Sequence, residues 1–255
     1  MISIKNEKEV ELMRVSSKLV AETFEYISPF IKPGITTQEI DEKIEKFVVA
    51  RGGYPAFKGL YGFPASACIS VDEEVVHGIP SRNRVLKEGE IISIDVGVRY
   101  KGYHGDAAYT FAVGEVSEQK MKLMEVTWEA LYKGIREAKA GNRLQNISAT
   151  IQDYAESFGY SVVRELVGHG IGKKLHEDPQ VPNYGTRGRG PLLKSGFTLA
   201  IEPMINMGTK NVRTLSDGWT IVTGDRKPSA HYEHTVLILD GEAEILTNHQ
   251  LNPLR

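Results

Sequence analysis

Cysteine is almost missing from this chain. Cys68 is the only one in 255 residues, so no intrachain disulfide can form, and a reducing compartment suits the protein. A surplus of charge is missing as well. The 31 Lys and Arg nearly balance the 33 Asp and Glu, for a formal net charge of −2. No global basic field draws in DNA or an anionic membrane. No apolar run approaches the ~20 residues of a membrane span, and the opening MISIKNEKEVELMR lacks the apolar core of a signal peptide. These absences predict a cytoplasmic protein with neither DNA nor membrane as partner. A Walker A loop and a G-x-S-x-G elbow are also lacking, which excludes P-loop chemistry and the α/β-hydrolase nucleophile. The glycine-rich GTRGRG at 185–190 follows no strand-to-helix turn, so it is a poor dinucleotide fingerprint and reads as a mobile loop carrying Arg187 and Arg189. Cys68 lies in an apolar run with no charged activator and reads as packing or pocket lining.

What is present is a soluble globular composition, 41% hydrophobic and 25% charged. NEKEVELMRVSSKLVAETFEYI reads as a helix with Asn6 as N-cap and Glu9 three positions on, and with Val10, Met13, Val20, Phe24 and Ile27 near one face. Pro33-Gly34 breaks it. Thr36 or Thr37 opens a second helix, stopped by Gly52-Gly53. Short apolar runs follow, SACISV, EIISIDVGV and AAYTFAVG, read as strands. Ser117 opens a third helix that ends near Gly141, and a fourth runs from Leu144 to Gly159. Strand-like YSVVREL, FTLAIEP, HTVLIL and AEILT complete the chain.

Two helices then strands thus occur twice, an internal duplication with halves of roughly 1–115 and 116–255 and an offset far too long for a solenoid. Segregated helices and strands argue α+β. No linker separates the halves, which predicts a single catalytic domain, 1–255, with a site between them.

The sharpest signal lies at two strand ends. LKSGFTLAIEP closes an apolar strand with Glu202, and LKEGEIISIDV does the same with Asp95. Asp106 stands eleven residues after Asp95 on the next strand, and a hairpin would set the two acids side by side. Glu233 heads another strand in HYEHTVLIL. A single acid of this kind is ordinarily a solvated strand end; four in duplicated positions are not. Buried together they repel, and a cation is the natural remedy. His169 in VGHGIG adds an imidazole flanked by glycines that permit close backbone approach. One histidine with four carboxylates suits two divalent ions such as Mn2+, Fe2+ or Co2+ and excludes a closed thiolate zinc site. Such a pair, ~3.5–4 Å apart, lowers the pKa of water towards ~7 and implies hydrolysis. His77 in VVHGIP and His176 in KLHEDP read as catalytic rather than ligating, able to stabilise a tetrahedral intermediate or relay a proton.

The motifs PAFKGLYGFPASACISVDEEVVHGIP, IDVG, GDAA, VGHGIG, HEDPQVPNYG, TLAIEPM and EHT occur in this order over nearly the whole chain. In this the sequence resembles the type I methionine aminopeptidases, in the short form without an N-terminal zinc-binding extension. The resemblance implies the pita-bread fold, two pseudo-twofold halves of helices and antiparallel strands around a dinuclear metal site. It implies Asp95, Asp106, His169, Glu202 and Glu233 as metal ligands, with Asp106 and Glu233 bridging. Glu202 also matches a proton shuttle, and His77 and His176 match substrate-contacting histidines. Phe57, Leu60, Phe63, Cys68 and Trp219 align with the methionine pocket, Leu60 standing where the family often has an aromatic residue. The implied reaction is removal of the initiator methionine from nascent chains whose second residue is small. The ions are Co2+, Mn2+ or Fe2+, with Zn2+ or Ni2+ as alternatives, in a monomer that meets the ribosome transiently. Prolidase-like peptidases of the same fold carry a further N-terminal domain, and non-catalytic members lose metal ligands. Here the first helix of the fold opens the sequence, and all five ligand positions are filled.

Overall fold

The computed structural model of the chain describes residues 2–253. Helix α1 spans Glu7–Ile27 and begins with the full reciprocal cap: the Asn6 side chain accepts from the Glu9 amide while the Glu9 carboxylate accepts from the Asn6 amide. Helix α2, Thr37–Ala50, repeats the device with Thr36 and Glu39. Each cap satisfies otherwise orphaned amides and is worth ~1 kcal/mol. Helix α3 spans Glu118–Glu137 with Ser117 as its cap. It stops short of the expected Gly141 because the Asn142 side chain turns back to donate to the Glu137 carbonyl at 2.9 Å. Helix α4, Leu144–Ser157, completes the set.

The strands form two main antiparallel sheets. In the first, Ile91–Tyr100 is central, paired with Tyr103–Ala112, Cys68–Val71 and Tyr54–Pro55. In the second, the order is Glu244–Ile245, His234–Leu237, Thr198–Ile201, Val167–Gly170, Glu177–Pro182. The architecture is therefore α+β, as helices grouped apart from strands suggested. The sheets meet through Thr235, whose hydroxyl accepts from the Asp106 amide at 3.0 Å and donates to the Asp106 carbonyl at 2.8 Å. The Glu233 amide adds a bond to the Ala108 carbonyl at 2.9 Å. One apolar core runs beneath both, from Phe24 and Ile44 through Ile94 and Tyr109 to Leu123, Ile151 and Leu199. Burying each such side chain contributes about 1.5–3 kcal/mol over leaving it in water.

Three expectations change. YSVVREL supplies only the two-residue strand Ser161–Val162, paired with Asn206 and Ile205. Val167–Gly170 and Glu177–Pro182 are strands that the glycines and prolines concealed. The 185–190 loop is fastened to α4 rather than loose. Arg187 bonds Thr150 at 3.1 Å and Asp153 at 3.0 Å, and the Thr186 and Gly188 amides donate to Gln145 and Asn146. Among the described residues, no helix is long and apolar enough to cross a membrane.

Candidate metal centre

The hairpin register pairs Asp95 with Ala108 and Asp106 with Gly97. Asp95 and Asp106 are therefore diagonal neighbours on one sheet face. Glu202 follows directly on Thr198–Ile201, and Glu233 directly precedes His234–Leu237. Ile201 pairs with His234, which brings these two acids together at one end of the second sheet. His169 lies opposite Ala200 in that sheet. The flanking glycines are required there: a Cβ on Gly168 would lie 2.4 Å from the Ala200 carbonyl, and one on Gly170 would lie 2.0 Å from the Asp178 carbonyl. Any larger residue would push the His169 strand off its neighbours.

Asp95, Asp106, His169, Glu202 and Glu233 thus line one cavity of about 850 Å³. His169 Nδ1 is engaged with the Gly170 carbonyl at 2.9 Å, so Nε2 faces the acids, 3.6 Å from Glu202 and 3.8 Å from Asp106. Burial, reinforced by the neighbouring carboxylates, holds Asp95, Glu202 and Glu233 well above the ordinary carboxylate range, and burial likewise raises Asp106. Burial, with a smaller contribution from His176, lowers His169 to about 4. A neutral imidazole therefore stands among acids that resist ionising on their own. Asp95 Oδ1, Asp106 Oδ1 and Glu233 Oε1 are buried with no hydrogen-bond partner among the described residues. Buried polar atoms are normally satisfied, so the donor set fits hard divalent cations. Two groups of three could each hold an ion: Asp106, His169 and Glu233, and Glu202, His231 and Glu233.

His231 did not emerge from the sequence reading, although the alternation in HYEH places it two residues before Glu233 and so on the same side. It is 1% exposed, and its Nε2 lies 3.6 Å from Glu202 Oε2. Burial, with His77 contributing, lowers its pKa to about 3, so the ring is neutral.

The two other expected histidines line the same cavity. The His176 ring meets His169 edge to face with centroids 4.5 Å apart. His77 has φ +59° and faces Trp219 edge-on at 6.5 Å. Burial lowers the pKa of both, and each also feels a second histidine. Phe57, Phe63 and Cys68 pack together with Leu60 and Trp219 against them. Trp219 is fixed by the turn before it, where Asp217 Oδ1 accepts from the Trp219 and Thr220 amides at 2.8 and 2.9 Å. The structure therefore brings every expected site residue to one cavity.

The sequence profile of metallopeptidase family M24 matches residues 11–240. A methionine aminopeptidase of Clostridium acetobutylicum is 56% identical over 247 residues, covering 97% of this chain and 99% of that protein. The crystal structure of a methionine aminopeptidase from Thermotoga maritima superposes with a TM-score of 0.96 at 47% identity, covering 98% of this chain and all of that one. A Xaa-Pro dipeptidase from Bacillus anthracis shares the fold, with a TM-score of 0.79 at 24% identity, and this chain spans 63% of its length.

Proposed function

The chain belongs to metallopeptidase family M24, of pita-bread fold, and on that footing we propose that it hydrolyses the N-terminal methionine from nascent polypeptides whose second residue is small. The observation that carries this reading is the pairing of a carboxylate cluster with an apolar cluster of side chains in one cavity. Endopeptidases need a groove open at both ends, whereas a recess beside the acids suits a chain terminus. Phe57, Phe63 and Trp219 offer aromatic faces and edges to a thioether, a favourable contact of ~0.3–1.5 kcal/mol each.

Asp95, Asp106, His169, Glu202 and Glu233 would hold two divalent ions. Mn2+, Fe2+ or Co2+ suit this oxygen-rich set best, with Zn2+ or Ni2+ as alternatives. When bound, such a pair supplies Lewis acidity and makes hydroxide available at neutral pH. Glu202, at the cavity wall beside His169 and His231, takes up a proton and delivers it to the leaving amine. His176 and His77 donate to the carbonyl oxygen as it gains charge. We read the chain as one catalytic domain of duplicated halves, 1–115 and 116–255, acting as a cytoplasmic monomer that meets nascent chains at the ribosome.

Met-Ala-Ser, Met-Ile-Ser and Ala-Pro, each assayed before and after exhaustive chelation, test the reading. Met-Ala-Ser should be cleaved at least tenfold faster than Met-Ile-Ser. Ala-Pro should resist, and turnover should vanish with the metal and return with Mn2+, Fe2+ or Co2+. Comparable cleavage of Met-Ala-Ser and Met-Ile-Ser, or full activity after chelation, would overturn it.

A further inference from the structure

Tyr61 is the most conspicuous side chain at the cavity mouth that the proposed chemistry leaves unused. It lines the cavity, yet it is 81% exposed, against 36–57% for the other exposed large apolar side chains. Its backbone has φ +51°, a conformation that bulky residues rarely adopt. It sits in a tight loop between Gly59 at φ +82° and Gly62 at φ +91°, closed by the Gly59 amide donating to the Phe63 carbonyl at 2.8 Å. The fold therefore holds a strained tyrosine out in water, where the ring gains nothing from burial. Strain of this kind survives where surrounding structure enforces it, most often at ligand sites.

The ring's orientation is specific. It lies parallel to the His176 imidazole, with centroids 6.3 Å apart and planes within 5°. His176 in turn touches His169. An N-terminal methionine fills the apolar recess, so the remainder of the peptide must leave past the mouth. An extended chain advances ~3.3–3.6 Å per residue. A ring about 6 Å from His176, which meets the scissile carbonyl, thus lies about two residues along the departing chain, past its second residue.

We infer that Tyr61 is a specificity-determining residue that lies along the departing peptide and binds it beyond the scissile bond, through the face of its ring. This subsite rests on the aminopeptidase reading above. The peptide backbone is recognised by flat stacking on the ring and not through the phenolic hydroxyl, so sequence preference at the third residue is weak and peptide length matters more.

Steady-state kinetics on the metal-loaded enzyme with Met-Ala and Met-Ala-Ser-Thr test the inference. Tyr61→Asn removes the ring with a residue that tolerates the same backbone, and Tyr61→Phe keeps the ring without the hydroxyl. Tyr61→Asn should raise KM for the tetrapeptide about tenfold, leave its kcat within twofold, and leave both constants for Met-Ala unchanged, which also shows that the variant is folded. Tyr61→Phe should match the wild type on both substrates. Equal losses on both peptides would overturn the subsite, since the ring would then be acting through His176 or the recess. Loss in Tyr61→Phe would overturn recognition by the ring face. Failure of the wild type to cleave either peptide would instead remove the aminopeptidase reading, and the subsite with it.

Discussion

His231 Nε2, itself buried, faces Glu202 Oε2 at 3.6 Å at the cavity wall. Its backbone amide donates to the Thr110 hydroxyl, and its carbonyl accepts from it. The imidazole nitrogen is left for Glu202 or for an ion beside it. A hydrogen bond to a charged group is worth ~1.5–3 kcal/mol, or roughly ten- to a hundredfold in rate. His231→Leu should lower kcat on Met-Ala-Ser by that range. Metal analysis of the purified variant separates orientation of Glu202, which keeps both ions, from ligation, which loses one. Wild-type kcat together with wild-type metal content would show that the side chain only packs.

The acid cluster makes a prediction about stability as well as rate. Without a cation the four crowded carboxyls must either repel or take up protons, so chelation should lower the melting temperature. Ions supplied at a hundred times their Kd should restore ~2.7 kcal/mol. Asp106→Asn removes one charge from this cluster. It should abolish most activity, yet after chelation it should melt no lower than chelated wild type. Thermal melts of both proteins with and without Mn2+ provide the check, and a chelated variant that melts well below chelated wild type would contradict the repulsion argument.

Lys5 and Glu177 form a buried ion pair at 2.7 Å, with side chains only 4% and 16% exposed. Glu177 Oε1 also accepts from the Lys174 amide at 3.0 Å, so the pair pins the loop that carries His176. Burial alone would raise the Glu177 pKa, but the Lys5 ammonium and backbone donors hold it below the usual value. Lys5→Met strands this carboxylate and should cost about 3 kcal/mol in denaturant midpoint analysis. It should also lower kcat by loosening His176. Adding Glu177→Gln should recover part of the stability, because no charge is then left unpaired. A double variant as unstable as the sum of the two singles would rule out direct coupling.

Asp41 on α2 accepts from the Ser66 and Ala67 amides, both at 2.9 Å, and so anchors the segment that leads into Cys68. Burial raises its pKa to about 6, only partly opposed by those bonds. The folded state therefore binds this proton more tightly than the unfolded chain does. The stabilisation is full below the unfolded value near 3.8 and is lost as pH rises through about 6. Against Asp41→Asn, which does not titrate, the wild type should lose ground between pH 4 and 7. Melting temperatures of the pair across that interval should converge or cross; a constant difference would show that Asp41 does not titrate there.

The sequence by itself determined the elements whose physics is local. The cap at Asn6 was legible because capping needs only residues three apart, the start of α2 was legible to within one residue, and Asp95 and Glu202 stood out because an acid is anomalous at the end of an apolar strand. The donor set and its oxygen-rich character followed from those residues. Contact across the fold was not legible. Asp106 and Thr235 are 129 positions apart, and Lys5 and Glu177 are 172 apart; nothing local records either pairing. The Val167–Gly170 and Glu177–Pro182 strands were hidden because glycine and proline carry low strand propensity. The sheet accepts them only because Gly168 and Gly170 leave room for the backbones on either side. The positions of His231 against Glu202 and of Tyr61 beside His176 were likewise decided by tertiary structure, since each depends on two segments folding to the same few ångströms of one cavity wall.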